Sequence, residues 1–367
     1  MGKLLLFEGK KLFRSKVFLG FLIISLLFIG TLFIYHWTQQ DVIKAKKVDH
    51  FSYLASSVSQ QNMFDRERLK LVHSDPPVEA RLEIGTLLYQ QLDALILSIE
   101  QNHWREELQN EINVYTTAID YLNHEGRIEL SAYEMNKVIS LNEELLKRDL
   151  PKEDLQLSVQ PALFLKKVVS ILFHPIGFMI LLFAVGMLIT REFEEKNIQM
   201  VFTLPISNIK YISAKLFSIV LASLIWAIVV FIVSFLLPYL LWEEKSKIFQ
   251  YPLYTIDDEF LNIGEYVQLA IIYTCSFIVF SIAMLNFVGF TLRNTIISFL
   301  VILLIFAGGY ILIDYGISVI WNPLSYQNIN QVILENPTYF PQGNVILWGF
   351  ALVFVFLTFI LNRERRV

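Results

Sequence analysis

Long uncharged apolar runs divide this chain, and no other feature limits its possible folds as sharply. Crossing a hydrocarbon core takes roughly 20 apolar residues in helix. Six stretches reach that length, at residues 17–37, 168–190, 217–241, 266–290, 295–313 and 344–361. They are unbroken runs rather than alternating ten-residue segments. Hydrocarbon offers the backbone no hydrogen-bond partners, so spanning helices are expected rather than a barrel. The expected fold is all-α, a polytopic membrane protein with six transmembrane helices. The fifth run has the least defined end, because Asp314 follows it and apolar residues resume as far as Trp321. A hydrophobic share of 55% is above that of ordinary soluble domains and agrees with this class. The first run, Val17 to Tyr35, is longer than the apolar core of a signal peptide, and HWTQQD follows it with no small-residue cleavage site. It is expected to be an uncleaved anchor.

Lysine and arginine in the short connections set the expected orientation. With the N-terminus inside, the inner pieces carry Lys3, Lys10, Lys11, Arg14 and Lys16, then Arg191, Lys196, Lys210 and Lys215, then Arg293, then Arg363, Arg365 and Arg366. The short outer loops carry only Lys245 and Lys247, and the loop 314–343 has neither residue type. Both termini are therefore expected in the cytoplasm. The net charge of −4 averages unlike compartments and excludes nothing. The single cysteine, Cys275, falls inside the fourth run, so no intramolecular disulfide can form.

Residues 1–16 mix apolar and basic positions. Leu5, Leu6, Leu12 and Phe13 can share one helical face while Lys10, Lys11, Arg14 and Lys16 take the other. This is either an interfacial helix against anionic lipid or a plain positively charged flank.

Between the first two runs lies a large external insert, residues 38–165, with 21 acidic and 13 basic residues. Its apolar residues recur with helical spacing at Leu88, Leu92, Leu95 and Ile99, and again at Leu108, Ile112, Tyr115, Ile119 and Leu122. Asp75 before Pro76 suits a helix start, Gly126 after Asn123 suits a stop, and Ser131 with Glu134 fits a capping box for a helix to about Arg148, before Pro151. A helical hairpin or small bundle is expected. His50, His73, His103 and His124 are scattered, with no metal-ligand spacing.

The second run opens near Lys166 and Lys167 and then meets His174-Pro175, a candidate kink or gate. Gly177 and Gly186 permit close helix approach. A charged island follows, Arg191–Lys215, REFEEKNIQMVFTLPISNIKYISAK. On a helix from Glu192 to Thr203, the residues Glu192, Glu195, Lys196 and Gln199 share one face, and Ile198, Val201 and Phe202 another. Pro205 pushes Leu204 out of helical geometry, and Ser207 can cap a new helix leading through Lys215 into the third span. Such a segment is a short surface helix tied to two spans, or an ordinary amphipathic loop.

Beyond the island, the outer loop 242–265 is acidic, Asn286 near the inner end of the fourth run could hydrogen-bond to a neighbouring helix, and the aromatic-rich loop 314–343 is expected to pack at the outer interface.

The island resembles the cytoplasmic coupling segment of ABC-2-type ABC-transporter permeases. The matching features are the acidic run Glu192–Glu195, the stretch Phe202-Thr203-Leu204-Pro205-Ile206-Ser207, and Lys215 entering the next span. Where the family frequently has Gly-Thr after the acidic run, this chain has Lys196-Asn197. The N-terminal LLLFEGKKLFRSKVFLGF is similar to the family's elbow helix, with Glu8, Lys10, Lys11 and Arg14 at its interfacial positions. The insert 38–165 carries no matching motif. The resemblance implies an elbow helix and first span over 1–37, an extracellular helical domain over 38–165, and spans two to six over 166–367, with a coupling helix at about 191–207.

It further implies the permease subunit of an exporter in the plasma membrane of a bacterium. Two cytosolic ABC ATPase copies would dock on Glu192, Glu194, Glu195, Ile198, Phe202, Leu204 and Pro205, and a second permease copy or paralogue would complete the assembly. ATP and Mg would sit on the ATPase. This chain has no P-loop, G-x-x-x-x-G-K-[ST], and no catalytic constellation in its spans, so no cofactor is expected on it and no enzymatic activity. Nucleic acid is not an expected partner. The spans lack internal charge clusters, which leans towards amphipathic or apolar cargo such as a peptide, an antibiotic or a lipid-like molecule. Relatives tied to sodium extrusion keep that alternative open. A function of another class is a membrane sensor or scaffold whose ectodomain binds an extracellular ligand or envelope protein.

Overall fold

The computed structural model describes residues 2–72, 75–194, 207–242, 247–317, 319–336 and 339–363. They divide into two compact units. One comprises Met1–Phe33, Gln160–Glu243 and Thr255–Val367, the other Ile34–Val159 with Glu244–Tyr254.

The first unit holds the apolar helices. An N-terminal helix, α1 (Gly2–Phe13), precedes α2 (Lys16–Thr38), whose upper end passes into the second unit. Then come α7 (Pro161–Leu172), α8 (Pro175–Glu194), α9 (Asn208–Tyr239), α10 (Ile263–Leu292), α11 (Thr295–Asp314) and α12 (Tyr339–Arg363). Among the described residues, α2, α9, α10, α11 and α12 are each long and apolar enough to cross a membrane. The bent pair Pro161–Leu172 and Gly177–Met187 makes a sixth span if counted as one. The fold is thus all-α and polytopic. At the centre stands α10, which packs against α7, α8, α9, α11 and α12. Indole N–H groups find hydroxyl partners between helices, Trp226 on Ser25 and Trp348 on Ser276, each at 3.1 Å.

The second span differs from the expected continuous run over 168–190. It begins earlier, at Pro161, where Gln160 Oε1 accepts from the Leu163 N–H at 2.8 Å. It then stops at Leu172 and restarts at Pro175, with a bend of 61°. The cause is local. Pro175 has no N–H, biases His174 away from helical geometry and suits the first position of a new helix. A Cβ on Gly177 would lie 2.6 Å from the Ile171 carbonyl oxygen, so glycine is what lets the two pieces meet so closely.

The loop after α11 folds onto its own unit. A 3₁₀ turn, Pro323–Tyr326, and a π-type turn, Gln331–Glu335, bury Tyr326, Ile329, Val332 and Ile333 against α10, α11 and α12. Asn286 is buried, but neither end of its amide finds a partner among the described residues, contrary to the hydrogen bond expected from its position.

The second unit is a helical array of α3 (Gln40–Leu71), α4 (Pro76–Glu100), α5 (Trp104–Asn123) and α6 (Ala132–Arg148), each packed on the next. Its core joins Phe51, Leu54, Ala55 and Val58 of α3 to Leu88, Leu92, Leu95 and Ile99 of α4, to Val114, Tyr115, Ala118 and Tyr121 of α5, and to Met135 of α6. The stripe on α5 is turned from the expected one. Glu111, Val114, Ala118 and Tyr121 face inward, and Ile112, Ile119 and Leu122 sit at the margin. Glu111 can turn inward because its Oε2 accepts from Asn142 Nδ2 at 2.8 Å and Lys152 Nζ at 2.7 Å.

Helix ends follow from specific chemistry. Ser131 and Glu134 form the full capping box at the start of α6. Asp75 does precede α4, but its carboxylate accepts no backbone N–H. Pro76 and Pro77 remove the first two donors, and Asp75 Oδ2 accepts from Arg68 Nη2 at 2.7 Å instead. At the end of α5 the left-handed residue is Glu125, at φ 62°, not Gly126. Gly126 is required for another reason, since a Cβ there would lie 2.2 Å from the Tyr121 ring.

Residues 247–254, assigned to an outer loop from the sequence, belong to this second unit and end in a three-residue strand, β1 (Pro252–Tyr254). Another short strand, β2 (Phe260–Asn262), lies in the first unit. Lys247 Nζ donates to Asp149 Oδ2 at 2.7 Å, and Arg148 Nη1 to the Gln250 carbonyl at 2.8 Å. The hydrogen bonds from Lys247 and then Arg105 hold the Asp149 carboxyl below its ordinary range.

Between α3 and α4, Arg81 grips Asp65 with two hydrogen bonds, Nε to Oδ2 at 2.8 Å and Nη2 to Oδ1 at 2.6 Å, both side chains being buried. Removing one member leaves the other charge buried alone, which typically costs about 3–5 kcal/mol. Arg81→Met is expected to destabilise the second unit by that order and Arg81→Met/Asp65→Leu by clearly less. Amide hydrogen exchange across α3 and α4 measures both, and equal protection in all three proteins would refute the assignment.

Candidate functional site

The charged island is bounded by two helix ends. Backbone helix continues through Arg191, Glu192 and Glu194 as the last turn of α8, so the acidic run begins on the span itself. Of the residues assigned to coupling, Glu195, Ile198, Phe202, Leu204 and Pro205 lie outside the described residues, as does the Lys196-Asn197 departure. The chain is described again at Ser207, whose Oγ accepts from the Lys210 N–H at 3.4 Å and caps α9. The helix of the third span therefore starts at Asn208, nine residues before the apolar run at 217, and runs unbroken through Lys215, as the Ser207 cap implied.

The first turns of α9 are braced from two sides. On one side lies α1, where the Ser218 hydroxyl donates to the Leu5 carbonyl at 3.4 Å. A small void of about 10 Å³ between these helices is lined by Glu8, Lys11, Leu12, Lys215, Ser218 and Ile219. Glu8 and Lys215 are only 7% and 2% exposed, which for an acid and a base requires mutual or nearby compensation. Lys215 Nζ also donates to the Tyr211 hydroxyl at 3.2 Å. On the other side, Asn208 Nδ2 donates to the Asn362 carbonyl at 3.3 Å, tying the start of α9 to the end of α12.

The helix α1 is rotated from its expected pose. Leu12 and Glu8 face the protein, while Leu6, Phe7 and Phe13 are exposed together with Lys10, Lys11 and Arg14. An apolar and basic outward surface is what an interfacial helix needs. Sequence reading placed Glu8 and Lys215 in separate motifs and missed their convergence. A lone acid within a basic helix and a lysine inside an apolar run were the available signals, since each needs a partner.

At the break in the second span, the His174 ring packs edge-on to Tyr310 of α11, with centroids 5.2 Å apart. Phe173 beside it contacts Trp226 and Phe231 of α9 and Phe178 of α8. The break is therefore a packed joint among α8, α9 and α11. Among the described residues no cluster of three or more His, Cys, Asp or Glu side chains could hold a metal ion.

Over residues 4–359 the sequence matches the family described as ABC-2 family transporter protein. The chain belongs to the ABC-2 transporter family. No curated protein and no solved structure shows significant similarity to it. As an ABC-2 permease it is a multi-pass membrane protein of a family that generally works with an ABC ATPase. The match takes in α1 from residue 4, the island and the apolar helices as far as residue 359, and it runs through the helical insert.

If Glu8 and Lys215 compensate one another in this permease, their substitutions are not additive. Glu8→Gln and Lys215→Met are each expected to lower the melting temperature of the detergent-purified protein, and the double variant to recover part of the loss. Additive losses would show that each side chain is stabilised by other neighbours.

Proposed function

We propose that this permease subunit exports an amphipathic or apolar cargo, with energy supplied by cytosolic ABC ATPases docked on the island. In this reading both termini and the island face the cytoplasm of a bacterium, and the unit 34–159 is extracellular. Two permease chains, identical or paralogous, assemble with two ATPases that carry the ATP and Mg. Glu192, Glu194 and Glu195 supply the charged part of the docking surface, and Ile198, Phe202, Leu204 and Pro205 the apolar part.

The observation that supports the reading most directly is the bracing of α9. The island leads from the end of α8 into the start of α9, and the start of α9 is tied to α1 and α12. A push on the island is thus delivered to several spans together rather than to a slack loop. ATP can drive the change only by binding unequally to two states of the assembly, so stiff transmission from partner to span is a requirement. The packed joint at His174-Pro175 lies between α8, α9 and α11 and is where the second span can yield.

The preference for amphipathic cargo rests on the character of the buried polar groups. In α9, α10 and α11 they are chiefly neutral, including Ser223, Ser234, Thr274, Ser281, Asn286 and Ser298. Lys215 is the charged exception and sits at the entry of its span. An ion path is ordinarily marked by charged side chains facing the bundle interior.

Reversing the charge at the island tests the coupling. Glu194→Lys/Glu195→Lys is expected to lower ATPase activity of the reconstituted assembly by about tenfold or more, the usual scale for losing an interfacial charge pair. Membrane insertion and yield should be unchanged. Wild-type ATPase activity in the charge-reversed protein, still responsive to cargo, would falsify the docking assignment. Failure of any ATPase subunit to co-purify with the wild-type permease would instead favour a sensor or scaffold.

A further inference from the structure

The second unit carries a cleft of about 450 Å³ that the transport reading leaves unused. One wall is a stripe of α3 made by His50, Tyr53, Leu54 and Ser57, and the other is Leu122 with the segment Gly126–Leu130. The size falls within the range of ordinary ligand pockets. Its floor is apolar, because Leu54 belongs to the core and Leu122, Ile128 and Leu130 pack against it.

Two features of the rim identify the chemistry it would accept. Arg127 is exposed and has no hydrogen-bond or ion-pair partner among the described residues. The backbone N–H and C=O groups of Arg127, Ile128, Glu129 and Leu130 likewise make no hydrogen bond among the described residues. The neighbouring acid, Glu129, accepts from the Tyr53 hydroxyl at 3.3 Å, which fixes it against α3 rather than on Arg127. An apolar slot beside a free guanidinium and a run of open backbone groups matches an extended peptide end. Backbone pairing gives such a peptide its affinity, the slot takes a side chain, and arginine takes a carboxylate with two parallel hydrogen bonds.

We infer that this cleft binds the C-terminal end of a short peptide, with its last apolar side chain against Leu54, Ile128 and Leu130 and its terminal carboxylate on Arg127. The inference concerns the second unit alone and does not depend on the direction of transport or on the ATPase partner. A fatty acid shares the carboxylate and the apolar chain but lacks a backbone to pair with residues 127–130.

The test uses the full-length permease in lipid nanodiscs and a fluorescein-labelled hexapeptide, Gly-Ser-Ala-Val-Ile-Leu, followed by fluorescence polarisation. Saturable binding is expected, weakened about tenfold or more when the C-terminus is amidated, as befits loss of a charge-assisted pair. Arg127→Gln should weaken the free acid equally and leave the amide unaffected, while Glu129→Gln should tighten the free acid. Because the Arg127 side chain makes no hydrogen bond or ion pair among the described residues, an unchanged circular-dichroism melt is the control. Lack of saturable binding to the wild type overturns the proposal, as does an Arg127→Gln protein that binds normally. Reversed signs at Arg127 and Glu129 would assign a cationic ligand instead. Displacement by decanoate at the concentration at which unlabelled peptide displaces would assign a lipid acid.

Discussion

A peptide group in hydrocarbon has no solvent to hydrogen-bond, and each one left unpaired costs several kcal/mol. This constraint makes the apolar runs helical and decides where a helix is allowed to stop. The second span shows the rule at work. Its two pieces end and restart around Phe173 and His174, at a point covered by side chains of α9 and α11. Pro175 has no donor to leave unsatisfied, and the Phe173 N–H still reaches the Val169 carbonyl at 3.0 Å. A break costs less there because Pro175 brings no donor and the Phe173 N–H keeps its partner.

The same constraint explains which parts of the fold were legible in the sequence. Spans are visible because length and apolarity alone define them, and α2, α10, α11 and α12 fall close to the expected runs. The capping box at Ser131 and Glu134 was visible because both partners lie within one turn. The helix start before the third span was legible too, because Ser207 lies one turn from the N–H that it caps, and the helix runs from there through Lys210 and Lys215 as expected. In the second unit, α3 gave no periodic signal over its 32 residues for a specific reason. Its buried stripe is apolar at Phe51, Leu54, Ala55 and Val58 and then continues as Asn62 and Asp65. A polar residue on a core stripe is intelligible only once its partner is known, and the partner of Asp65 is Arg81 on the next helix. Glu111 hid the true face of α5 in the same way.

The island illustrates the opposite limit. Its acidic run and its proline were plain from local pattern, because a charged stretch between two long apolar runs stands out in the sequence. What it leans on was not. Glu8 and Lys215 are 207 positions apart, and neither residue type nor spacing links them. Only packing of α1 along α9 brings both to the void they share. Long-range polar pairs of this kind leave no trace in one sequence beyond the oddity of each member.

That oddity has mechanical weight. A lysine 2% exposed at the entry of a span needs polar partners to offset its loss of water, and the Tyr211 hydroxyl at 3.2 Å is one. Exposed surface pairs can break and re-form at little cost, whereas a buried acid and base lining one cavity separate only by leaving a charge stranded in the interior. If Glu8 and Lys215 compensate one another, the tie between α1 and α9 is stiff where an exposed one would be slack. In the proposed coupling, force entering at the island would meet ties that resist sliding of α1 along α9, and Asn208 on the Asn362 carbonyl extends them to α12. With the island as the proposed docking contact, rigidity immediately behind it would come from polar groups whose separation the surrounding apolar medium penalises.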